Sequence, residues 1–290
     1  MTNTQPLKIP VGYIGLGTMG EPMARNVLAA GFPLSVFDVN AAPLGRLAKA
    51  GATIAGSLRD LAASCAVILV NVVNDAQVEA VVSAPETGLL EGLRGGSVVV
   101  VHSTIHPDTC VRLAKLVAER KAGLIDAPFT GGAAAAAAGS LSLLVGGEEW
   151  CVEAARPVLQ AEGVVTHLGG VGSGELAKLG NNLVIGITTH AVSEALRLGA
   201  SGGLDSAAML GVLTSGAADC WTARNWEAVG RMAASYPGGV QGLGALTHKD
   251  LALALQVAES HGVRLRITEH AAVNLDEPLS YALHLLDAHD

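Results

Sequence analysis

The first half of the chain has a rhythm that few folds can accommodate. Short, uninterrupted apolar runs alternate with windows of helical periodicity, and glycines mark the joins. Runs at 11–14, 34–37, 67–72, 97–101, 123–126, 141–145 and 164–167 predict strands. The windows 21–30, 107–120 and 148–160, with another ending at 50, predict helices, and Gly31 and Gly51 stand where two of them stop. Runs without polar alternation belong to strands buried on both faces. Repeated β-α-β units of this kind give an α/β fold with a doubly wound, mostly parallel sheet.

After His167 the pattern changes. Gly169, Gly170, Gly172 and Gly174 cluster around Val171 and Ser173, and beyond them no strand is predicted. A nearly unbroken helical window covers 175–200, followed by windows at 206–216, 223–234, 249–261 and 268–274. The expectation is a dinucleotide-binding type of domain over 1–170 and an all-helical domain over 171–290, joined through the long helix. The run Ala133–Ala138 fits either a helix or a small-residue loop.

Composition removes several alternatives. Half the 290 residues are hydrophobic and 15% are charged, which excludes intrinsic disorder. The longest apolar runs fall far short of the roughly 18 residues of a membrane span. Residues 1–10 (MTNTQPLKIP) lack the apolar core of a secretory signal, so a cytoplasmic location is expected. Eighteen basic against 26 acidic side chains give a net charge of −8 with no basic stripe, which argues against nucleic acid as a partner. Cys65, Cys110, Cys151 and Cys220 form no CxxC pair, so neither a zinc site nor a disulfide framework is indicated. The nine histidines show no metal-ligand spacing. His102, His106, His190 and His248 read as polar pocket or surface groups, and no metal is expected.

Four segments carry candidate chemistry. Gly15-Leu16-Gly17-Thr18-Met19-Gly20 follows the first strand and opens a helix. Gly15 permits the tight turn, Gly17 lets backbone approach a pyrophosphate, and Gly20 allows close helix packing. Asp38 ends the second strand, where a carboxylate bonds a free ribose 2′-hydroxyl and repels a 2′-phosphate. With no basic residue in Val39-Asn40-Ala41, NAD is favoured over NADP.

Asp126-Ala127-Pro128-Phe129-Thr130-Gly131-Gly132 leaves a strand end. Thr130, Gly131 and Gly132 fit an anion cradle, although an ordinary glycine turn fits as well. Ser103-Thr104 follows the strand predicted over 97–101 and is placed either for the nicotinamide end of a coenzyme or for a helix cap. Lys178 and Asn182, four apart, share a helix face. On the predicted boundaries Lys178 falls in the first helical turn, where the macrodipole would lower its pKa and suit it to proton exchange. Read alone, the pair also fits a surface lysine and a capping-region asparagine.

Taken together and in this order, the segments resemble the β-hydroxyacid dehydrogenase family, which includes 3-hydroxyisobutyrate, tartronate-semialdehyde and threonate-type enzymes. The resemblance extends from residue 12 to about 287 and includes the late Lys249-Asp250. It implies Lys178 as the catalytic residue, Asn182 as its substrate-positioning partner, and Thr130, Gly131 and Gly132 as carboxylate ligands. It also implies coenzyme contacts from Gly15, Leu16, Gly17, Thr18, Met19, Gly20, Asp38, Val72, Val73 and Thr104, with Lys249 reaching across from the helical domain. Two departures concern the substrate. Phe129-Thr130 stands where many members have Val-Ser, and His102 stands where an acidic residue is common. The stretch 71–78 is closer to the threonate-type branch.

The expected activity is NAD-dependent oxidation of a small hydroxycarboxylate, or the reverse reduction, with a lysine as general acid/base. Three alternatives are an imine-reducing enzyme of related fold, in which that lysine is typically replaced, a dehydrogenase of phosphorylated sugar acids, and a non-catalytic nucleotide-binding scaffold. The apolar character of the long helix on more than one face predicts a homodimer or homotetramer. Trp221 and Trp226 are expected to line the substrate cleft or that interface, or to pack in the core.

Overall fold

The computed structural model describes residues 8–287, with Asp287 as backbone only. Most of the segment read for a secretory signal, residues 1–7, lies outside them. Nine strands form one sheet: β1 Val11–Ile14, β2 Leu34–Phe37, β3 Thr53–Ile54, β4 Val67–Val70, β5 Val98–Val101, β6 Gly123–Asp126, β7 Phe129–Thr130, β8 Leu141–Gly146 and β9 Gly163–Gly169. The first six are parallel in the order β3-β2-β1-β4-β5-β6. Antiparallel β8 then pairs with β6 and β7, and β9 runs parallel to β8. This is the doubly wound sheet that the apolar rhythm predicts.

Valine-rich strands explain its centre. All four residues of β5 are valine and all are buried. Val98 and Val100 join the cluster on one face with Tyr13, Met23 and Leu143, while Val99 and Val101 join the other with Leu61, Ile68 and Leu113. Each such side chain contributes about 1.5–3 kcal/mol on burial.

The sheet also sets where the chemistry can be. Ile14, Val70, Val101 and Asp126 are Cα partners across β1, β4, β5 and β6. Four strands therefore end level with one another, about 14 Å from first to last at ~4.8 Å per strand. Strand order reverses between β1 and β4, the position where open α/β sheets bind ligands. The strand predicted over 67–72 stops at Val70, so Val72 and Val73 lie in the loop beyond this edge.

The chain divides into two compact units, one ending at Lys178 and one starting at Leu179, within the long helix Ser173–Ser201. That helix starts before the predicted position. Lys178 is its sixth residue, in the second turn, where the macrodipole has largely faded. The stated electrical reason for a lowered lysine pKa therefore does not hold.

The second unit is helical. After the long helix come Ser206–Ser215, Trp221–Arg224, Trp226–Ser235, Gly239–Ser260, Arg266–Ala271 and Asp276–Asp287. The window predicted at 249–261 is really a 22-residue helix from Gly239. Its glycine-rich start disguises it, but a Cβ at Gly244 would come within 2.2 Å of Asp276 Oδ1, so the glycine marks close packing. The window 223–234 is two helices, broken at Asn225. Helices Leu58–Ser64, Asp75–Ser83 and Asp276–Asp287 were not predicted, and the alanine run is a helix, Gly132–Ala138. Trp226 packs in the core with Val192, Leu196 and Leu279, whereas Trp221 is exposed. Among the described residues, no helix is long and apolar enough to cross a membrane.

Candidate active site

In the first unit the glycine turn is built by close approach. Gly15 has φ +87°, and a Cβ there would lie 2.1 Å from the Asn71 carbonyl oxygen, so the turn lies tight against the end of β4. A Cβ at Gly20 would meet the Gly15 carbonyl at 2.0 Å, which fixes where the helix Gly20–Ala29 begins. Gly17 differs: no atom lies within 4 Å of where its Cβ would be. The open side of that backbone fits a pyrophosphate, so the residues present suit a dinucleotide. Thr18 is exposed, whereas Leu16 and Met19 turn their side chains to the core. Asp38 accepts from the N–H of Leu16 at 2.6 Å and of Asn40 at 2.7 Å. Carboxylate lone pairs remain for a further donor.

The next three segments leave the same sheet edge and are linked by side chains. Val72 N–H donates to Ser103 Oγ at 2.8 Å, joining the ends of β4 and β5. Ile105 N–H, just beyond Thr104, donates to Glu175 Oε2 at 3.3 Å. Asp126, at the end of β6, accepts from Gly172 N–H at 2.7 Å and Glu175 N–H at 2.9 Å, and so caps the long helix from outside it. Burial pushes the Asp126 carboxyl above the usual carboxylate range, and these N–H groups pull it part of the way back. A Cβ at Gly174 would lie 2.2 Å from the Leu144 carbonyl, which explains the last glycine of the cluster before Lys178. Together these contacts fix the helix start that carries half-buried Lys178. Glu175 stands one turn before the lysine, on the same side of the helix.

Thr130 pairs with Ser142 in β7–β8. Gly131 and Gly132 both have positive φ, at +133° and +72°, and both are exposed. Phe129 packs partly against the core, with its ring edge-on to His102.

In the second unit Asn182 is held at both ends of its amide. Its Nδ2 donates to Asp250 Oδ2 at 2.6 Å, and its Oδ1 accepts from Asn181 Nδ2 at 3.0 Å. Lys249 Nζ lies 3.1 Å from Asp250 Oδ1, so a buried carboxylate ties Asn182 and Lys249 together.

Asp126, Glu175 and Asp250 were given no role of their own from sequence, and Ser103 was read for a coenzyme contact or a helix cap and not for the bond it makes to Val72 N–H. All four act on backbone or side chains distant in the chain, which no local spacing reveals. The stretch 71–78 also carries structural contacts. Asn74 accepts from Gln77 N–H, and Asp75 accepts from His106 N–H and Thr109 Oγ1. Among the described residues, no group of three or more His, Cys, Asp or Glu is placed to hold a metal ion.

Two family models cover this architecture. Residues 10–170 match the NAD binding domain of 6-phosphogluconate dehydrogenase. Residues 172–284 match the NAD-binding region of NADP-dependent 3-hydroxyisobutyrate dehydrogenase. The chain is 36% identical to a probable mitochondrial 3-hydroxyisobutyrate dehydrogenase of Dictyostelium discoideum, over 90% of this chain and 83% of that one. It is 34% identical to the NAD-dependent L-serine dehydrogenase of Pseudomonas aeruginosa, over 86% and 85%. The solved Mycobacterium tuberculosis 3-hydroxyisobutyrate dehydrogenase with L-serine superposes with a TM-score of 0.81 at 25% identity, covering 96% of this chain and 99% of that one. This chain, with its nucleotide turn and the segments beside it, belongs to the β-hydroxyacid dehydrogenase family and is an NAD(P)-binding oxidoreductase.

Proposed function

We propose that the protein oxidises the hydroxyl of a small 3-hydroxycarboxylate with NAD in preference to NADP, or reduces the corresponding semialdehyde. The observation that carries this reading is the level sheet edge. From it the segments after Ile14, Val70, Val101 and Asp126 emerge side by side, and the last three are linked to one another or to the helix of Lys178 by hydrogen bonds. Residues 1–170 take the coenzyme in this reading, and 171–290 supply substrate contacts and assembly. Gly15 to Gly20, Asp38, Val72, Val73, Thr104 and Lys249 would hold the coenzyme, which supplies a hydride acceptor when bound.

The chain's own residues do the rest. Thr130, Gly131 and Gly132 orient the carboxylate through the threonine hydroxyl and two backbone N–H groups. Lys178 takes the hydroxyl proton in oxidation and returns it in reduction, while Asn182, fixed by Asp250, orients the substrate. Orientation of this kind is worth several kcal/mol. The acids named by the relatives, 3-hydroxyisobutyrate and serine, share a hydroxymethyl group on the carbon that bears the carboxylate. That group defines the substrate class. A threonate-type sugar acid belongs in the test panel, and Lys178 argues against imine reduction. A cytoplasmic location is part of the same proposal.

The test is a reduction screen over hydroxyacids of three to five carbons, with NAD and NADP in parallel. Turnover of a hydroxymethyl acid with NAD ahead is expected, and silence of both coenzymes with every acid would overturn the reading. Asp38→Ser should narrow the NAD preference in kcat/KM by about tenfold or more, because it removes the charge that repels a 2′-phosphate.

A further inference from the structure

Beneath the carboxylate loop lies a charged pair that the proposed chemistry does not use. His102 and Glu162 are 60 residues apart in sequence and both side chains are wholly buried, with His102 Nε2 3.1 Å from Glu162 Oε2. The other ring nitrogen, Nδ1, lies 2.7 Å from the Ala127 carbonyl oxygen. A carbonyl can only accept, so Nδ1 carries a proton, while Nε2 and the Glu162 carboxyl meet as an ion-pair contact with no aligned hydrogen bond between them. Burial pushes the His102 pKa down. The charge and contact of Glu162, together with the Ala127 carbonyl, outweigh that and leave it raised. Tyr13 stacks on one side of the ring at 6.4 Å and Phe129 meets it edge-on at 5.9 Å.

The backbone of this loop explains why a side chain is needed there. Ala127 N–H donates to Val101, and Leu144 N–H donates to Pro128. Pro128 has no N–H, so the ladder lapses beside it. The Ala127 carbonyl is the group His102 satisfies, and its plane sets the direction in which the chain passes from β6 into Phe129 and Thr130 of β7. An apolar pair would fill the same space without the desolvation that a buried ion pair costs. What the ion pair adds is direction, since Glu162 fixes the ring and the ring fixes the carbonyl.

We infer that Glu162 and His102 are positioning residues for the loop 127–130, aiming Thr130, Gly131 and Gly132 at the substrate carboxylate; this rests on the function proposed above. Neither touches substrate, so their effect is on KM for the hydroxyacid and not on coenzyme binding.

Two isosteric variants separate this from a merely structural role, both on a neutral background. In His102→Asn with Glu162→Gln, the asparagine amide occupies the place of Nδ1 and keeps the bond to Ala127. In His102→Gln with Glu162→Gln, the longer amide reaches the place of Nε2 and loses it. The expected result is a hydroxyacid KM within about threefold of wild type for the first. The second should show a rise of about tenfold or more, with the KM for NAD unchanged in both. Amide hydrogen exchange across 129–132 should quicken in the second variant only. That arm needs no turnover, so it still decides the inference if no hydroxyacid is oxidised. Equal KM and equal exchange in the two variants would overturn it. If the asparagine variant does not fold, Glu162→Gln with His102 kept takes its place. Its amide stays beside Nε2 to hold the ring, so the Nδ1 bond is retained and the wild-type KM and exchange should be kept, and loss of either would overturn the inference.

Discussion

Helix Pro107–Glu119 and helix Ser206–Ser215 show how differently the two units bury apolar surface. The first lies on the sheet side that carries Val99 and Val101 and buries Cys110, Leu113 and Val117. The second has no buried residue, although its sequence is more apolar and Val212 is 65% exposed. Valine-rich strands offer a broad flat surface that covers one whole stripe of a helix. A unit made of helices alone has only grooves, and its core divides into three small clusters. The long helix adds to the uncovered surface, with Val184 and Leu198 at 55% and 73% exposure. The first unit thus packs this helix on its sheet and carries polar contacts that fix a site. The second retains apolar faces that a further copy of the chain would cover.

The most forceful way to break this comparison is at its border. Lys178 is the last residue of the first unit. Lys178→Ala should lower turnover by about 10²–10⁴-fold, the usual contribution of one general acid/base. The NAD dissociation constant and the unfolding midpoint should stay near wild type. Equal loss of turnover and coenzyme binding would make the lysine part of the fold's support instead.

Next in size is Asp126→Ala. It removes the acceptor of two buried N–H groups, each costing about 1–3 kcal/mol when left unpaired. A loss of about 3 kcal/mol is expected in denaturant unfolding, with faster amide exchange at 172–176. A variant as stable as wild type would show that the cap does not anchor the long helix.

How far the sequence disclosed these features follows the same division. Apolar-rich runs and stop glycines located β1, β2 and β6 to the residue, because both are local signals, even where Ser35 interrupts β2. The glycine fingerprint was legible for the same reason, its spacing being a local steric demand. Helix Gly239–Ser260 was misjudged, since Gly242 and Gly244 look like breakers until the neighbouring segments that require them are known. Lys178, Asn182 and the Asp126–Gly132 loop were visible as motifs. Their linkage through Glu175, Ser103 and Asp250 was not, because a buried carboxylate bonding a backbone 46 or 70 residues away leaves no periodic trace.

The uncovered faces make a third prediction. The wild-type protein should run in light scattering as a dimer or tetramer at micromolar concentration. Leu198→Glu with Val212→Glu should weaken that association by about tenfold or more, because charge in an apolar interface is poorly tolerated. Both positions are exposed within one chain, so secondary structure should not change. A monomeric wild type would leave these faces with some other role.

The smallest expected effect concerns a surface contact in the first unit, where little energy is at stake. Glu21 opens the helix after the glycine turn and accepts a forked pair of bonds from Arg46, with Arg25 one turn on. The Arg46 contact first, and then Arg25, outweigh partial burial and hold the Glu21 carboxyl at about 2. A carboxyl depressed in the folded state contributes stability above its unfolded value near 4.5. That contribution disappears as pH falls from there through about 2. Arg46 is half exposed, so solvent screening keeps the contribution to about 1 kcal/mol or less. Glu21→Gln should therefore cost that amount at pH 7 and nothing near pH 2, measured as the difference in unfolding midpoint between the two proteins. A cost that persists undiminished at pH 2 would assign the effect to the helix start itself and not to the ion pair.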